Sequence, residues 1–158
     1  MTFLELVQKR YSVRAYQDRA VEDEKLAYIL EAARLAPTGS NRQAFQLIVV
    51  HTEGREAEMA RLYGQGWFAG APIVICACAS PDYGLNVGIV VDHMILAATE
   101  QGLGTCWIGA FDRDAAREIL GVPEDQAPII MMTLGYAADD PRARKRKDRD
   151  DLVRYEHW

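Results

Sequence analysis

Arg10-Tyr-Ser-Val-Arg14 places two guanidinium groups, the Tyr11 phenol and the Ser12 hydroxyl within five residues, just behind a short amphipathic segment. A guanidinium is a planar fork of donors that matches phosphate and carboxylate oxygens, and a serine O–H adds a donor beside it. Alone, such a cluster is commonly a solvated helix end. Here three other stretches keep it company: Pro37-Thr-Gly-Ser-Asn-Arg-Gln43, Gly102-Leu-Gly-Thr-Cys-Trp-Ile-Gly109, and six Lys and Arg residues between Arg142 and Arg149. Read together they make one site for an anionic cofactor. Arg10, Ser12, Arg14 and the basic tail suit a terminal monophosphate. Donors of 38–43 and backbone groups near 107–109 would then meet a flat heteroaromatic ring, for which a flavin, a nucleotide base and a coenzyme fragment all qualify.

Other chemistries find less support. No G-x-G-x-x-G follows a strand and no G-x-x-x-x-G-K-[ST] occurs, so the dinucleotide-fold and P-loop readings fail. Cys76 and Cys78 lie two apart on a predicted strand without a second ligand pair, and His51, His93 and His157 are scattered; no metal is expected. Cys106 has no histidine implied beside it and reads as a core thiol rather than a nucleophile. Asp92–His93 reads as a hydrogen-bonded structural pair at a helix or subunit seam rather than a buried acid/base pair, although adjacent helical positions do not share a face. Ser12 and Ser40 show no nucleophile elbow, and no side chain is assigned a catalytic role. The run from Arg142 to Arg149 is a solvated charge stretch or, with Tyr155 and Trp158 as stacking groups, a nucleic-acid contact. A formal net charge of −5 argues against a general nucleic-acid binder.

The elements that must position these groups follow from length and pattern. A chain of 158 residues, 49% hydrophobic and 26% charged, matches one globular domain. Three cysteines, an odd number, suit a reducing compartment. No hydrophobic leader opens the chain, and Asp92 and His93 interrupt the longest apolar stretch, so a soluble cytoplasmic protein is the expectation. Thr2 to Glu5 reads as a capping box before a helix bearing Phe3, Leu6 and Val7. Residues 11–20 read as loop or extended chain. Leu26, Ile29, Leu30 and Ala33 mark a helix over about 23–36, which Pro37 ends. The 38–43 loop follows, with Gly39 free to turn left-handed. Phe45–Val50 reads as a strand, Glu53–Tyr63 as a helix, and Gly64, Gly66, Gly70 and Pro72 as breakers. Ile73–Ala79 is apolar throughout and predicts a strand covered on both faces. Leu85–Gln101 predicts the central helix, with Gly102 as its C′ residue. Thr105–Ile108 is a short strand, Asp112 caps a helix to Leu120, and Ile129–Leu134 is the last strand. The charged tail, 139–158, ends in Leu152, Val153, Tyr155 and Trp158, and is expected to lie against another surface such as a partner subunit's. About four strands flanked by helices make the class α+β.

In order and spacing, four blocks resemble the flavin-dependent nitroreductase family. They are Arg10–Arg14; Ala32 to Gln43; Ala97 to Gly109; and Leu134-Gly-Tyr with the later Arg146-Lys and Tyr155-Glu-His-Trp158. The resemblance implies a mainly antiparallel sheet flanked by helices in an intertwined homodimer, with FMN at each subunit boundary. It implies that Arg10, Tyr11, Ser12 and Arg14 surround the FMN phosphate and its polar edge. Arg146, with Arg144, would reach the same phosphate. Pro37, Thr38, Gly39, Ser40 and Asn41 match the flavin-side loop given by the other subunit, and Trp107, Ile108 and Gly109 match the segment behind the isoalloxazine. The implied activity is ping-pong transfer of hydride from NAD(P)H through FMN to a nitroaromatic, quinone or flavin-like acceptor. A non-enzymatic flavin- or nucleotide-binding dimer is the alternative. Two departures from the family pattern stand out. Only Ser80 to Leu85 join the central strand to the central helix, where the family carries a longer segment shaping its substrate pocket. Asn86 stands where the family often has Asp.

Overall fold

Thr2 opens the first helix, α1 (Phe3–Lys9), through the reciprocal box: the Glu5 N–H donates to Thr2 Oγ1 at 3.3 Å and the Thr2 N–H to the Glu5 carboxylate at 2.7 Å. The computed structural model describes every residue except Ala143. Helix α2 (Asp23–Leu35) stops two residues before Pro37, with Ala36 extended as its cap. Its buried Ile29 and Ala33 pack against α5 (Gly84–Glu100), which buries Val87, Val90, Val91, Met94 and Ile95. Gly102 takes φ of +77° just past the end of α5, as a left-handed C′ residue should.

Four strands form one antiparallel sheet: β1 (Phe45–His51), β2 (Ile73–Ala79), β3 (Gly104–Ile108) and β4 (Ala127–Gly135), in the spatial order β1-β2-β4-β3. All seven residues of β2 are buried, because helices cover both faces. Ile73, Ile75 and Ala77 face α2 and α5. Val74, Cys76 and Cys78 face the layer of α3 (Glu56–Leu62), α4 (Gly66–Ala69) and α6 (Arg113–Leu120), which supplies Met59, Leu62, Phe68 and Ala116. Helix α6 is capped by Asp112, whose carboxylate accepts from the Ala115 N–H at 2.9 Å, and is closed by left-handed Gly121.

Three local expectations are corrected. The helix read over Glu53–Tyr63 begins only at Glu56, because Gly54 at φ +73° and the Arg55 N–H to Thr52 carbonyl bond first make a turn. The breaker segment after it contains the short α4, in which Phe68 is fully buried. Strand β4 begins before Pro128 rather than after it. Proline has no N–H for the ladder, and the register with β2 shifts there: Ala77 pairs with Ile130 but Cys78 with Pro128.

Residues 11–17 run extended across one end of the sheet. The Val13 N–H donates to the Thr105 carbonyl and the Gln17 N–H to the Tyr136 carbonyl, both at 2.9 Å. Gly104 and Gly135, opposite each other on β3 and β4, leave the room this crossing needs.

Candidate functional site

The crossing segment sets the site. Ser12 bridges to Thr105 on β3, and Val13 is buried between them and the core, so Tyr11, Ser12 and Arg14 are displayed from a fixed backbone. The chain returns after β4 to the same place. The Tyr11 hydroxyl donates to the Asp139 carbonyl at 2.7 Å, and the Arg14 N–H donates to the Asp139 carboxylate at 2.9 Å. Burial first, then Asp139, raises the Tyr11 phenol above its ordinary value, so it stays a neutral donor. A partly open cavity of about 100 Å³ is lined by Tyr11, Ser12, Arg14, Arg142 and Arg144 together with the two carboxylates Asp139 and Asp140. A wider cleft of about 570 Å³ adjoins it, bordered by Lys9, Arg10, Arg142, Arg144 and Arg146. Both ends of the chain thus contribute cations to one place. Among the described residues Arg10, Arg14, Arg144 and Arg146 form no ion pair, while Arg19, Arg34, Arg55 and Arg61 each have a carboxylate partner. The Arg14 guanidinium lies 5.8 Å from the Trp67 ring centroid instead.

Cys106 sits beneath this cluster. It is buried, and burial pushes its thiol up against the opposing pull of Arg14, Ser12, Arg144 and Arg10; a protonated packing thiol is the result. Cys76 and Cys78 touch each other at 3.6 Å inside the core, and that contact, with burial, holds Cys76 protonated. No cluster of metal ligands occurs among the described residues. Asp92 and His93 are neither buried nor bonded to one another: His93 Nδ1 meets the Ile89 carbonyl of its own helix at 2.9 Å, since neighbouring helical positions point apart.

Residues 107–109 lie farther along β3, roughly 13 Å of strand from Thr105 to Gly109. Trp107 is 41% exposed and covers Gly88 of α5, bordering an open cleft of about 510 Å³ with Leu85, Ile89, Asp92 and His93. Ile108 points the other way, into the α6 layer. The 37–41 loop is elsewhere. Gly39 donates its N–H to the Asn86 side-chain oxygen at 2.7 Å, which ties the loop to the first turn of α5. Arg10 and Tyr11 instead share a cavity with Thr99, Gly102 and Leu103 at the far end of that helix. The rise from Asn86 to Thr99 is about 20 Å. One chain therefore brings Arg10, Tyr11, Ser12, Arg14, Arg144 and Arg146 together and keeps Pro37–Asn41 apart from them. In the loop, the left-handed conformation falls not on Gly39 but on Ser40, Asn41 and Gln43.

Comparison with known proteins settles the family. The chain matches the family described as "Putative TM nitroreductase" over residues 2–158. It is 32% identical to an Archaeoglobus fulgidus protein named "Putative NADH dehydrogenase/NAD(P)H nitroreductase", covering 98% of both chains. The chain belongs to the nitroreductase family. A solved nitroreductase-family protein of Clostridium difficile 630 superposes with a TM-score of 0.91 at 35% identity, covering 100% of both chains. An FMN-dependent nitroreductase of Clostridium difficile R20291 superposes with a TM-score of 0.83 at 27% identity, covering 99% of this chain and 100% of that one.

As a nitroreductase-family protein the chain is economical between β2 and α5. A single 3₁₀ turn, Pro81–Tyr83, makes the whole connection, so nothing overhangs the cleft beside Trp107 from that side. Asp139 and Trp67 escaped the sequence reading. Neither has a motif: Asp139 acts through its position where the chain re-enters the site, and Trp67 lies in a segment whose glycines signalled only a break. Among the described residues, no helix is long and apolar enough to cross a membrane.

Proposed function

We propose that the protein is an FMN-dependent oxidoreductase that takes reducing equivalents from NAD(P)H and passes them by ping-pong turnover to a nitroaromatic, quinone or flavin-like acceptor. The observation that carries this is the cationic cleft: Arg10, Arg14, Arg144 and Arg146 border two adjoining cavities beside the Ser12 hydroxyl and, among the described residues, form no ion pair, so that arginines outnumber the two carboxylates there, Asp139 and Asp140. Such a donor set fits the dianionic phosphate of FMN, because like charges left unpaired at close quarters are costly unless an anion joins them. Bound FMN would supply the ring that accepts and returns the hydride. The chain's part is to hold and cover. Arg10, Arg14, Arg144 and Arg146 neutralise the phosphate, and Tyr11, fixed on Asp139, walls its polar edge. Trp107 to Gly109 lie at strand distance from it to back the ring. No protein acid or base is required, which agrees with the protonated state of Cys106 and the solvent-facing Asp92 and His93.

In keeping with the family resemblance, in which this loop comes from the other subunit, we assign Pro37–Asn41 to the site of a second copy, so that a homodimer makes two composite sites; within one chain the loop stands about 20 Å along α5 from the phosphate end. The absence of a long β2–α5 segment leaves the acceptor side open and favours a bulky planar acceptor over a small enclosed one. A flavin fluorescence titration tests the assignment. Arg10→Ala with Arg14→Ala should weaken FMN binding at least a hundredfold, on the order of 3 kcal/mol for two charge-assisted contacts. Native affinity in that variant would remove the phosphate from this cleft. Anaerobic NADH or NADPH should bleach the flavin absorbance of the native protein; an FMN-loaded protein bleached by neither would be a binding protein and not an enzyme.

A further inference from the structure

The loop assigned to the flavin has an unusual backbone. Ser40, Asn41 and Gln43 take φ of 52°, 53° and 51°. Residues with a Cβ hold that region only where their surroundings over-determine it. Here the surroundings are thin, for residues 39–44 are exposed. Most of the loop's hydrogen bonds are its own: the Asn41 N–H to the Thr38 carbonyl at 2.9 Å, the Arg42 N–H to the Gly39 carbonyl at 3.2 Å, and the Gln43 N–H to Thr38 Oγ1 at 3.0 Å. Among the described residues one side chain from outside reaches residues 38–43 by a hydrogen bond. Asn86 Oδ1 accepts from the Gly39 N–H at 2.7 Å.

Asn86 is well placed to act as a fixed post. It stands in the first turn of α5, next to Val87, which is fully buried, on the helix with the largest buried face in the molecule. The loop end of the bond is equally defined, since Gly39 follows Thr38 in extended conformation and opens the 3₁₀ turn. A Cβ on Gly39 would lie 3.5 Å from Asn86 Oδ1, so the amide and the loop backbone are in direct contact. We infer that Asn86 is a positioning residue for the cofactor: through Gly39 it selects the one loop conformation, left-handed at Ser40, Asn41 and Gln43, that receives the flavin. The inference rests on the reading of 37–41 as the flavin-side loop. The amide is neutral and does not titrate, so the hold is the same across the physiological pH range, and a carboxylate acceptor at this position could make the same bond.

Three variants separate the hydrogen bond from the bulk of the side chain, each followed by hydrogen exchange of the 37–44 segment in the cofactor-free protein and by FMN titration. Asn86→Ala and Asn86→Leu both lose the acceptor, although Leu keeps the volume. Each should speed exchange at Gly39 about tenfold and weaken FMN about five- to tenfold, the worth of one hydrogen bond. Asn86→Asp keeps an acceptor and should stay within about twofold of native in both measurements, while thermal melting confirms that all three variants fold. Unchanged exchange at Gly39 in the Ala and Leu variants overturns the proposal. Faster exchange with native FMN affinity also overturns it, by showing that the loop's order does not matter to the flavin, and leaves the FMN reading intact. A native protein that fails to bind FMN would instead strike the functional reading, and exchange alone would then decide whether Asn86 holds the loop.

Discussion

A methyl group added at Gly104 would stand 2.5 Å from Cγ2 of Val13 and 3.0 Å from its Cβ. Val13 is fully buried and its N–H is bonded to Thr105, so it cannot step aside without moving the segment that displays Ser12 and Arg14. Gly104→Ala should therefore destabilise the fold by about 1–3 kcal/mol, the usual cost of overpacking. Val13→Ala in the same chain should return part of that loss, since it removes the two methyls in the way; strictly additive urea midpoints would refute the clash. Gly135, across the ladder, is hemmed in by Pro72 and Tyr16 in the same manner. At this scale the sequence was partly legible. Arg10, Ser12 and Arg14 could be picked out because guanidinium and hydroxyl groups carry their chemistry in their type. The need for glycine at 104 could not, because the atoms that forbid a side chain belong to Val13, far from it in sequence. Asn86 was visible only as a lost charge, and its partner was not.

The elements are tied at their ends by a surface network that should answer to acid. The Tyr136 hydroxyl, at the end of β4, donates to the Glu22 carboxylate at 2.7 Å and accepts from Lys25 Nζ at 2.8 Å, while the Arg19 guanidinium stacks 3.7 Å from its ring centroid. The Tyr136 hydrogen bond, more than any other contact, holds the Glu22 carboxyl down at about 2, against an ordinary value of 4.5. A folded-state value below the unfolded one gives stability that is present in full above the ordinary value and is lost as pH falls through the folded one. Stability should thus decline between about pH 5 and pH 2. Tyr136→Phe should flatten that decline, so the urea midpoints of native and variant should converge on acidification; a constant gap would show that Glu22 and Tyr136 are not coupled. Where one face of an element is buried, its period reached the sequence: α2, α5 and β2 were readable from spacing and run length. Helix α4 and the start of β4 were not. A four-residue helix has too few turns to show a period, and Pro128 belongs to its strand only because the ladder shifts register around it.

For the molecule as a whole, the question is which chain completes which site. Leu85 is 81% exposed and Leu4 70%, and in the tail helix α7 (Arg149–Leu152) and the residues after it bury nothing, with Trp158 fully exposed. Apolar surface spread over α1, the start of α5 and the tail is what the second copy proposed above would cover. The geometry along α5 gives this a sharper form than a molecular weight. If each site takes its cations from one chain and its loop from the other, two differently damaged chains should repair each other. Arg10→Ala with Arg14→Ala leaves the loop intact; Gly39→Pro puts a ring carbon where the N–H stood, against the Asn86 oxygen that lies 2.7 Å from the nitrogen, so it displaces the loop rather than merely loosening it and leaves the cations intact. Neither variant alone should retain FMN. Co-expressed, they should pair at random, so that half of the dimers are mixed and each mixed dimer has one whole site and one doubly damaged site. The mixture should then bind about a quarter of the native complement of FMN, in keeping with two-fold symmetry. If cations and loop of one chain served the same site, every site in the mixture would carry one lesion, and co-expression would restore nothing.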